Sequence, residues 1–132
     1  MPEPAAAEPG DAPRVLIIDD DDALRQTLGH IAAQEGFEVE TLGEGAAFIH
    51  AVARFRPDRI VMDLSIPDHD GIELLKALAG TRCETPIVLV SSHPQSMLKN
   101  ARDLGRALGL VVCAVLQKPF PAADFLAALR SS

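Results

Sequence analysis

The stretch VLIIDDDDALRQTL, residues 15–28, decides the fold because it predicts a buried strand that leads directly into a helix. Residues 15–18 are all aliphatic, which is typical of a strand covered on both faces. Leu24, Leu28 and Ile31 then recur at helical spacing. A buried strand followed at once by a helix is the first part of a strand–helix–strand unit, in which the two strands run parallel.

Four consecutive aspartates, residues 19–22, separate the predicted strand from the helix. Like charges crowded at the end of an apolar segment repel one another and do not stabilise the chain. Asp21 or Asp22 can cap the helix, because a carboxylate accepts hydrogen bonds from the free N–H groups of the first turn. For Asp19 and Asp20 we expect a neutralising cation.

The alternation of strands and helices continues along the chain. We assign Pro67, Asp70 and Gly71 to a turn at residues 67–71 and to the start of the third helix, with no catalytic role. The later strands are expected at residues 37–41, 60–62, 87–90 and 111–116, and the apolar helix faces carry Phe48, Val52 and Phe55; Ile72, Leu75 and Ala79; Met97, Ala101, Leu104 and Leu108; and Phe125, Leu126 and Leu129. Parallel strands need crossover helices, which are right-handed. The pattern therefore predicts an α/β fold, a flavodoxin-like doubly wound five-stranded parallel sheet of order 2-1-3-4-5 with helices on both faces.

Composition limits the function further. The chain has 132 residues, 48% of them hydrophobic, and a formal net charge of −7. That length predicts one domain at residues 14–132, preceded by a disordered tail rich in Pro, Ala and Glu at residues 1–13. The negative charge argues against direct binding to nucleic acid or to an anionic membrane, and without a targeting signal we expect a soluble, cytoplasmic protein. The spacing of Cys83 and Cys113 indicates neither a zinc site nor a disulfide framework.

Acidic side chains follow two strands that the predicted topology makes neighbours. Ligands of such sheets bind beyond the carboxyl ends of the strands, where the winding direction reverses between strands 1 and 3. Asp19, Asp20 and Asp63 fall at that crevice, and three converging carboxylates are tolerable when a hard cation such as Mg2+ sits among them. Ser91 and Lys118, at the ends of the last two strands, supply a hydroxyl and an ammonium suited to holding an oxyanion.

These motifs together resemble the receiver domain of two-component response regulators, over residues 14–130. VLIIDDDDALR is similar to the family's acidic-pair motif, PDRIVMDLSIPDHDG to its phosphoacceptor strand and turn, VLVSS to its hydroxyl-bearing fourth strand, and LQKPF to its lysine motif. The resemblance implies that Asp63 is the phosphoacceptor and that Asp19, Asp20, Asp63 and the backbone carbonyl of Ser65 hold Mg2+. It implies further that Ser91 and Lys118 contact the phosphoryl group, and that the Lys118–Pro119 peptide is cis.

The resemblance also implies a function. A receiver takes a phosphoryl group from the phosphohistidine of a sensor histidine kinase or of a phosphotransfer protein, with Mg2+ as cofactor, and then switches a surface that acts on a downstream output protein or domain. It catalyses only its own phosphorylation and dephosphorylation. We expect the output surface on the fourth helix, the fifth strand and the last helix, with a second copy of the chain as a further candidate partner.

Two features depart from the family's usual pattern. Val115 stands where receivers commonly have an aromatic residue, and the chain has no Tyr or Trp, so rotation of an aromatic ring cannot transmit the signal at that position. The segment between Ser91 and Lys118 is longer than in a typical receiver, and ARDLGRALGLVVCAVLQKPF, residues 101–120, replaces the usual short Gly-Ala turn before strand 5. It is similar to receivers attached to EAL-type cyclic-di-GMP phosphodiesterase outputs.

Two other functional classes compete with the receiver hypothesis. A haloacid-dehalogenase-like phosphohydrolase also uses Mg2+ and an aspartate at a strand end, but it needs a second acid two residues after its nucleophile, where this chain has Ser65. Turnover of phosphomonoesters would identify it. A receiver-like docking module that no longer accepts phosphate is the other alternative, and it would fail to form an aspartyl phosphate.

Overall fold

The computed structural model describes residues 12–66 and 69–131. Most of the tail expected at residues 1–13, and Pro67 of the expected turn, lie outside the described residues. The strands of the main sheet are β1 Arg14–Ile18, β2 Glu38–Leu42, β3 Arg59–Asp63, β4 Ile87–Ser91 and β5 Val112–Gln117. The helices are α1 Asp22–Gln34, α2 Phe48–Phe55, α3 Gly71–Gly80, α4 Gln95–Ala107 and α5 Ala122–Arg130. A 3-10 turn at Gly45–Ala47 precedes α2, and Ser65–Ile66 pairs antiparallel with His69–Asp70.

The five strands are parallel and lie in the order β2-β1-β3-β4-β5, which confirms the expected topology. The first strand lies inside the sheet, because it pairs with β2 on one side and β3 on the other. The register aligns the carboxyl ends of the strands. Asp63, the last residue of β3, lies opposite Val90, so that the end of β4 falls one residue beyond it.

Side chains of β1 alternate between two apolar cores, one on each face of the sheet. Val15 and Ile17 belong to the core beneath α1 and α5, whereas Leu16 and Ile18 belong to the core beneath α2, α3 and α4. All four side chains are fully buried. This arrangement explains why the strand is aliphatic at every position rather than at alternate ones.

The buried face of α4 differs from the face that the apolar spacing predicted. Ala101 is buried as expected, but Met97 is 51% exposed and Leu108 is 38% exposed, and Leu98 and Gly105 are buried instead. The reason is close packing on β5. A Cβ atom at Gly105 would lie 3.0 Å from Cγ2 of Val112, so α4 approaches the sheet closely through Gly105 and Ala101. Leu98 turns to the same side, whereas Met97 and Leu108 face outward.

The fifth strand begins one residue later than expected, at Val112, and Val111 lies on the surface. The second strand occupies an edge of the sheet. No helix in the described parts of the chain combines the length and the hydropathy that a membrane span requires.

Candidate acidic phosphoacceptor site

Four polar side chains lie at the carboxyl end of the sheet, the side on which all five parallel strands end. Asp19 directly follows β1, Asp63 and Ser91 are the last residues of β3 and β4, and Lys118 directly follows β5. Asp63 and Asp19 are each 2% exposed, and Ser91 is fully buried. Burying polar groups among apolar strands is costly unless they are paired. Their position therefore indicates a functional site rather than a solvated loop.

The three carboxylates predicted to converge do so. One oxygen each from Asp19, Asp20 and Asp63 lies within 4.8 Å of the others. Asp20 is exposed, so the cluster is open to solvent on one side and enclosed on the other. Carboxylate oxygens that converge from three side chains, with an open side for water ligands, are the kind of donors that Mg2+ prefers. The donor set is therefore chemically suited to a hard divalent cation.

Lys118 lies between the two buried carboxylates. Its Nζ is 2.9 Å from Oδ2 of Asp19 and 3.1 Å from Oδ2 of Asp63. Its backbone N–H donates to the carbonyl of Ser91 at 2.8 Å, which ties the end of β5 to the end of β4. The Lys118–Pro119 peptide is cis, in agreement with the expectation from the family resemblance.

Negative charge exceeds positive charge at the site, because one ammonium faces three carboxylates. Burial raises the pKa of Asp63, and the charge of Asp19 raises it further. The N–H of Ser65 and the ammonium of Lys118 act in the opposite direction without reversing the shift. Burial lowers the pKa of Lys118, but its hydrogen bond to Asp19 and the charges of Asp63 and Asp19 outweigh burial and raise it overall. Lys118 is therefore charged, and excess negative charge remains beside it.

The hydroxyl side of the site is held by neutral hydrogen bonds. Oγ of Ser91 accepts from the backbone N–H of His93 at 2.9 Å, and the side-chain amide of Gln117 donates to the carbonyl of His93 at 3.1 Å. On the carboxylate side, the N–H of Ser65 donates to Oδ1 of Asp63 at 2.9 Å. Sequence patterns did not single out Gln117, because a glutamine just before a lysine motif carries no chemical signature.

Asp21 and Asp70 cap helices, as their positions predicted. Oδ1 of Asp21 accepts from the N–H of Leu24 at the start of α1, and Oδ1 of Asp70 accepts from the N–H of Ile72 at the start of α3. Gly71 has a further role that the sequence did not reveal. A Cβ atom there would lie 2.5 Å from the carbonyl oxygen of Leu64, so glycine allows α3 to approach the segment after Asp63.

Comparison with known proteins decides the family. The family model for the response regulator receiver domain matches residues 15–130, nearly all of the described chain. The chain belongs to the receiver domain family. The transcriptional regulatory protein PdtaR of Mycobacterium tuberculosis is 31% identical over 118 residues, which cover 89% of this chain and 55% of that protein. The response regulator MprA of Mycobacterium leprae is 34% identical over 122 residues, 89% of this chain and 50% of that protein. The receiver chain thus spans about half the length of these curated relatives.

Solved structures agree with this assignment. The chemotaxis protein CheY4 of Vibrio cholerae superposes with a TM-score of 0.78 at 29% identity, covering 90% of this receiver and 97% of that chain. The BeF3-activated N-terminal receiver domain of RstA from Klebsiella pneumoniae gives a TM-score of 0.75 at 26% identity, covering 89% and 95% of the two chains. The flavodoxin-like architecture of this chain is therefore that of CheY-like receivers.

Proposed function

We propose that this receiver accepts a phosphoryl group on Asp63 from the phosphohistidine of a sensor histidine kinase or of a phosphotransfer protein. The observation that carries the proposal is the setting of Asp63. Its carboxylate ends a central strand, is 2% exposed, contacts Lys118 at 3.1 Å and lies beside two further carboxylates. No purely structural role requires this concentration of charge at a strand end.

The transfer is a displacement at phosphorus. A carboxylate oxygen of Asp63 attacks, an oxygen–phosphorus bond forms, and the phosphorus–nitrogen bond of the donor breaks, with its electron pair returning to the imidazole. An anion must approach an anion, so positioning and charge neutralisation account for most of the catalysis. Lys118 contributes the fixed positive charge, because it already contacts Asp63 and can turn to a phosphoryl oxygen over a short distance.

We assign the cation site to the side chains of Asp19, Asp20 and Asp63 and to the backbone carbonyl of Ser65. Bound Mg2+ supplies neutralisation of the phosphoryl oxygens and of the carboxylates. Asp19 is held by Lys118 and by the N–H of Asp21, which fixes its side chain for this role. Asp20 is the exposed member, through which the cation would enter and leave.

Ser91 is the proposed hydroxyl contact to the phosphoryl group. Its Oγ accepts from His93, which leaves the hydroxyl proton available for an incoming oxyanion. Movement of Ser91 towards the phosphoryl group would strain that bond and displace the segment before α4. We propose that this displacement alters the exposed face of α4 and β5, which would act on an output protein or domain or on a second copy of the chain.

Intact mass spectrometry after treatment with acetyl phosphate tests the proposal. Wild-type protein with Mg2+ should gain one phosphoryl group, and the adduct should be absent from Asp63→Asn and from wild type in EDTA. Asp58→Asn, which replaces an aspartate outside the site, is the matched control and should be labelled normally. A wild type without an adduct would favour the docking-module alternative, and an adduct that survives Asp63→Asn would place the phosphoacceptor elsewhere.

A second test concerns the output surface. Amide chemical shifts with and without beryllofluoride, a phosphoryl mimic, should change at residues 92–112 as well as around Asp63. Changes confined to the immediate surroundings of Asp63 and Lys118 would indicate a receiver that is phosphorylated without switching.

A further inference from the structure

Arg25, in the first turns of α1, makes contacts with the acidic segment that the proposed chemistry does not use. Its guanidinium donates from one terminal nitrogen to the backbone carbonyl of Asp19 at 2.7 Å and from the other to Oδ1 of Asp22 at 2.6 Å. The side chain is only 17% exposed. A long side chain held at both terminal nitrogens and largely buried has lost its conformational freedom, so its position is well defined.

The peptide that Arg25 holds is the one that joins the first two aspartates. The N–H of Asp19 donates to the carbonyl of Leu42 at 3.0 Å, so this residue is tied to β2 on one side and to Arg25 on the other. The carbonyl of Asp19 belongs to the peptide plane from which Asp20 departs. Fixing that plane places the Cα atom of Asp20, and the N–H of Asp21, which donates to Oδ1 of Asp19 at 2.9 Å, holds the next peptide plane. With both planes held, the backbone dihedrals of Asp20 are set, and so is the direction of its Cα–Cβ bond.

Gly43 makes room for this arrangement. A Cβ atom at Gly43 would lie 2.9 Å from the guanidinium nitrogen that bonds to Asp19. Both residues line a cleft of about 590 Å³ that also contains Asp20 and Asp22. A side chain at position 43 would therefore force the guanidinium to shift from the position in which it contacts Asp19.

We propose that Arg25 is a positioning residue for the cation site, which orients Asp20 through the Asp19–Asp20 peptide and thereby strengthens Mg2+ binding. The inference rests on the proposed function, because it assumes that the carboxylate cluster binds Mg2+. The positioning role and simple electrostatics predict opposite changes in Mg2+ affinity when Arg25 is removed. Removing a positive charge near a cation site should tighten Mg2+ binding, whereas removing a positioning contact should weaken it.

Two variants separate these effects. Arg25→Gln removes both the charge and the contact, whereas Gly43→Ala keeps every charge and pushes the guanidinium away from Asp19. The second substitution should be tolerated by the fold, because the clashing atom is the far end of a flexible side chain. Arg54→Gln is the matched control, because Arg54 of α2 pairs with Glu40 of β2 and not with the acidic segment.

The measurement is the Mg2+ concentration at half-saturation, followed through the backbone amide shifts of residues 20 and 21 well below the melting temperature. Amide shifts are suitable because the chain has no Trp or Tyr to report binding by fluorescence. We expect Arg25→Gln and Gly43→Ala each to raise the half-saturation concentration about tenfold, the lower end of the effect of contacts that orient metal ligands. The half-saturation concentration of Arg54→Gln should lie within about twofold of the wild-type value, because this variant removes no contact with the metal ligands.

Each other outcome contradicts the inference. Binding by Arg25→Gln that equals or exceeds wild-type affinity would show that charge outweighs positioning. Wild-type affinity in Gly43→Ala would show that the contact with Asp19 does not matter. Asp20→Asn distinguishes failure of the positioning role from failure of the cation site. If wild type responds to Mg2+ and Asp20→Asn does not, the cation site stands, and wild-type affinity in Arg25→Gln or Gly43→Ala counts against the positioning role alone. A wild type that shows no response would overturn both.

Discussion

The loop after β1 and the loop after β4 both end at the site, but they are held by different kinds of contact. Residues 19–21 are tied by charged groups, with Lys118 on the Asp19 carboxylate and Arg25 on its carbonyl. In residues 92–94, His93 is tied by two neutral hydrogen bonds, one from its N–H to Ser91 and one from Gln117 to its carbonyl. Hydrogen bonds that involve ions are about twice as strong as neutral ones.

The difference separates two tasks within one crevice. In the proposed function, the acidic loop keeps its carboxylates in place while charge arrives and departs, and its contacts reach β2, the residue after β5 and α1. The loop after β4 has weaker ties, each worth about 1 kcal/mol in net stability, so a phosphoryl group that attracts Ser91 can exchange them at small cost. We expect chemistry to depend on the first loop and transmission of the signal to depend on the second.

The largest effect should follow from removing the ammonium of Lys118, which contacts both buried carboxylates, Asp19 and Asp63. Lys118→Met should slow phosphorylation by acetyl phosphate about 100-fold, because a single fixed donor at a developing charge contributes on that scale. The rate is measured by intact mass against time. Lys99→Met, which removes an exposed lysine of α4, should leave the rate unchanged. A normal rate in Lys118→Met would remove this residue from the chemistry.

Removing Mg2+ should act on the acidic loop and leave the loop after β4 unaffected. At free Mg2+ tenfold above its dissociation constant, the free energy of unfolding should exceed that in EDTA by about 1.4 kcal/mol, since the ion binds only the native site. Chemical denaturation with and without EDTA measures the difference. It should vanish in Asp20→Asn and persist in Asp103→Asn, an exposed aspartate of α4. Equal Mg2+ responses in the two variants would show that Asp20 does not belong to the cation site.

Asp63→Asn should stabilise the Mg2+-free protein at neutral pH, by about 1 kcal/mol, the scale of a poorly compensated buried polar group. The raised pKa of Asp63 means that the native state binds its proton more tightly than the unfolded state does. Wild-type stability should therefore rise, relative to the variant, as the pH falls through that raised pKa, and the advantage of Asp63→Asn should disappear. Urea melts at pH 7 and at lower pH values in EDTA would check this, and a destabilised variant at pH 7 would contradict it.

The smallest effect should come from the neutral side of the comparison. Gln117→Leu removes the bond to the His93 carbonyl, which should cost about 0.5–1 kcal/mol and speed hydrogen exchange at residues 92–96. Exchange at residues 19–22 should not change. Gln26→Leu replaces an exposed glutamine of α1 and serves as the control. Faster exchange in both loops would mean that they are coupled, and the separation of tasks would then fail.

The sequence by itself determined the order of the strands and the place of the crevice, beyond the carboxyl ends of strands 1 and 3. It also determined which polar residues stand at the strand ends, namely Asp19, Asp63, Ser91 and Lys118. It could do so because fully buried parallel strands are aliphatic along their length, and because right-handed crossovers leave few topologies for five of them. The convergence of Asp19, Asp20 and Asp63 followed from topology alone, before any side chain had been placed. Residue type and position along the strand were sufficient for that part of the site.

Only the tertiary structure decided which face of α4 is buried and what holds the strand-end loops. Apolar spacing placed Met97 and Leu108 inside, but packing of Gly105 against Val112 turned them outward, and one-dimensional periodicity cannot anticipate how closely a particular helix approaches the sheet. The contacts of Arg25 with Asp19 and of Gln117 with His93 end on backbone carbonyls. Every residue has a carbonyl, so the sequence carries no mark of which one a side chain will bind.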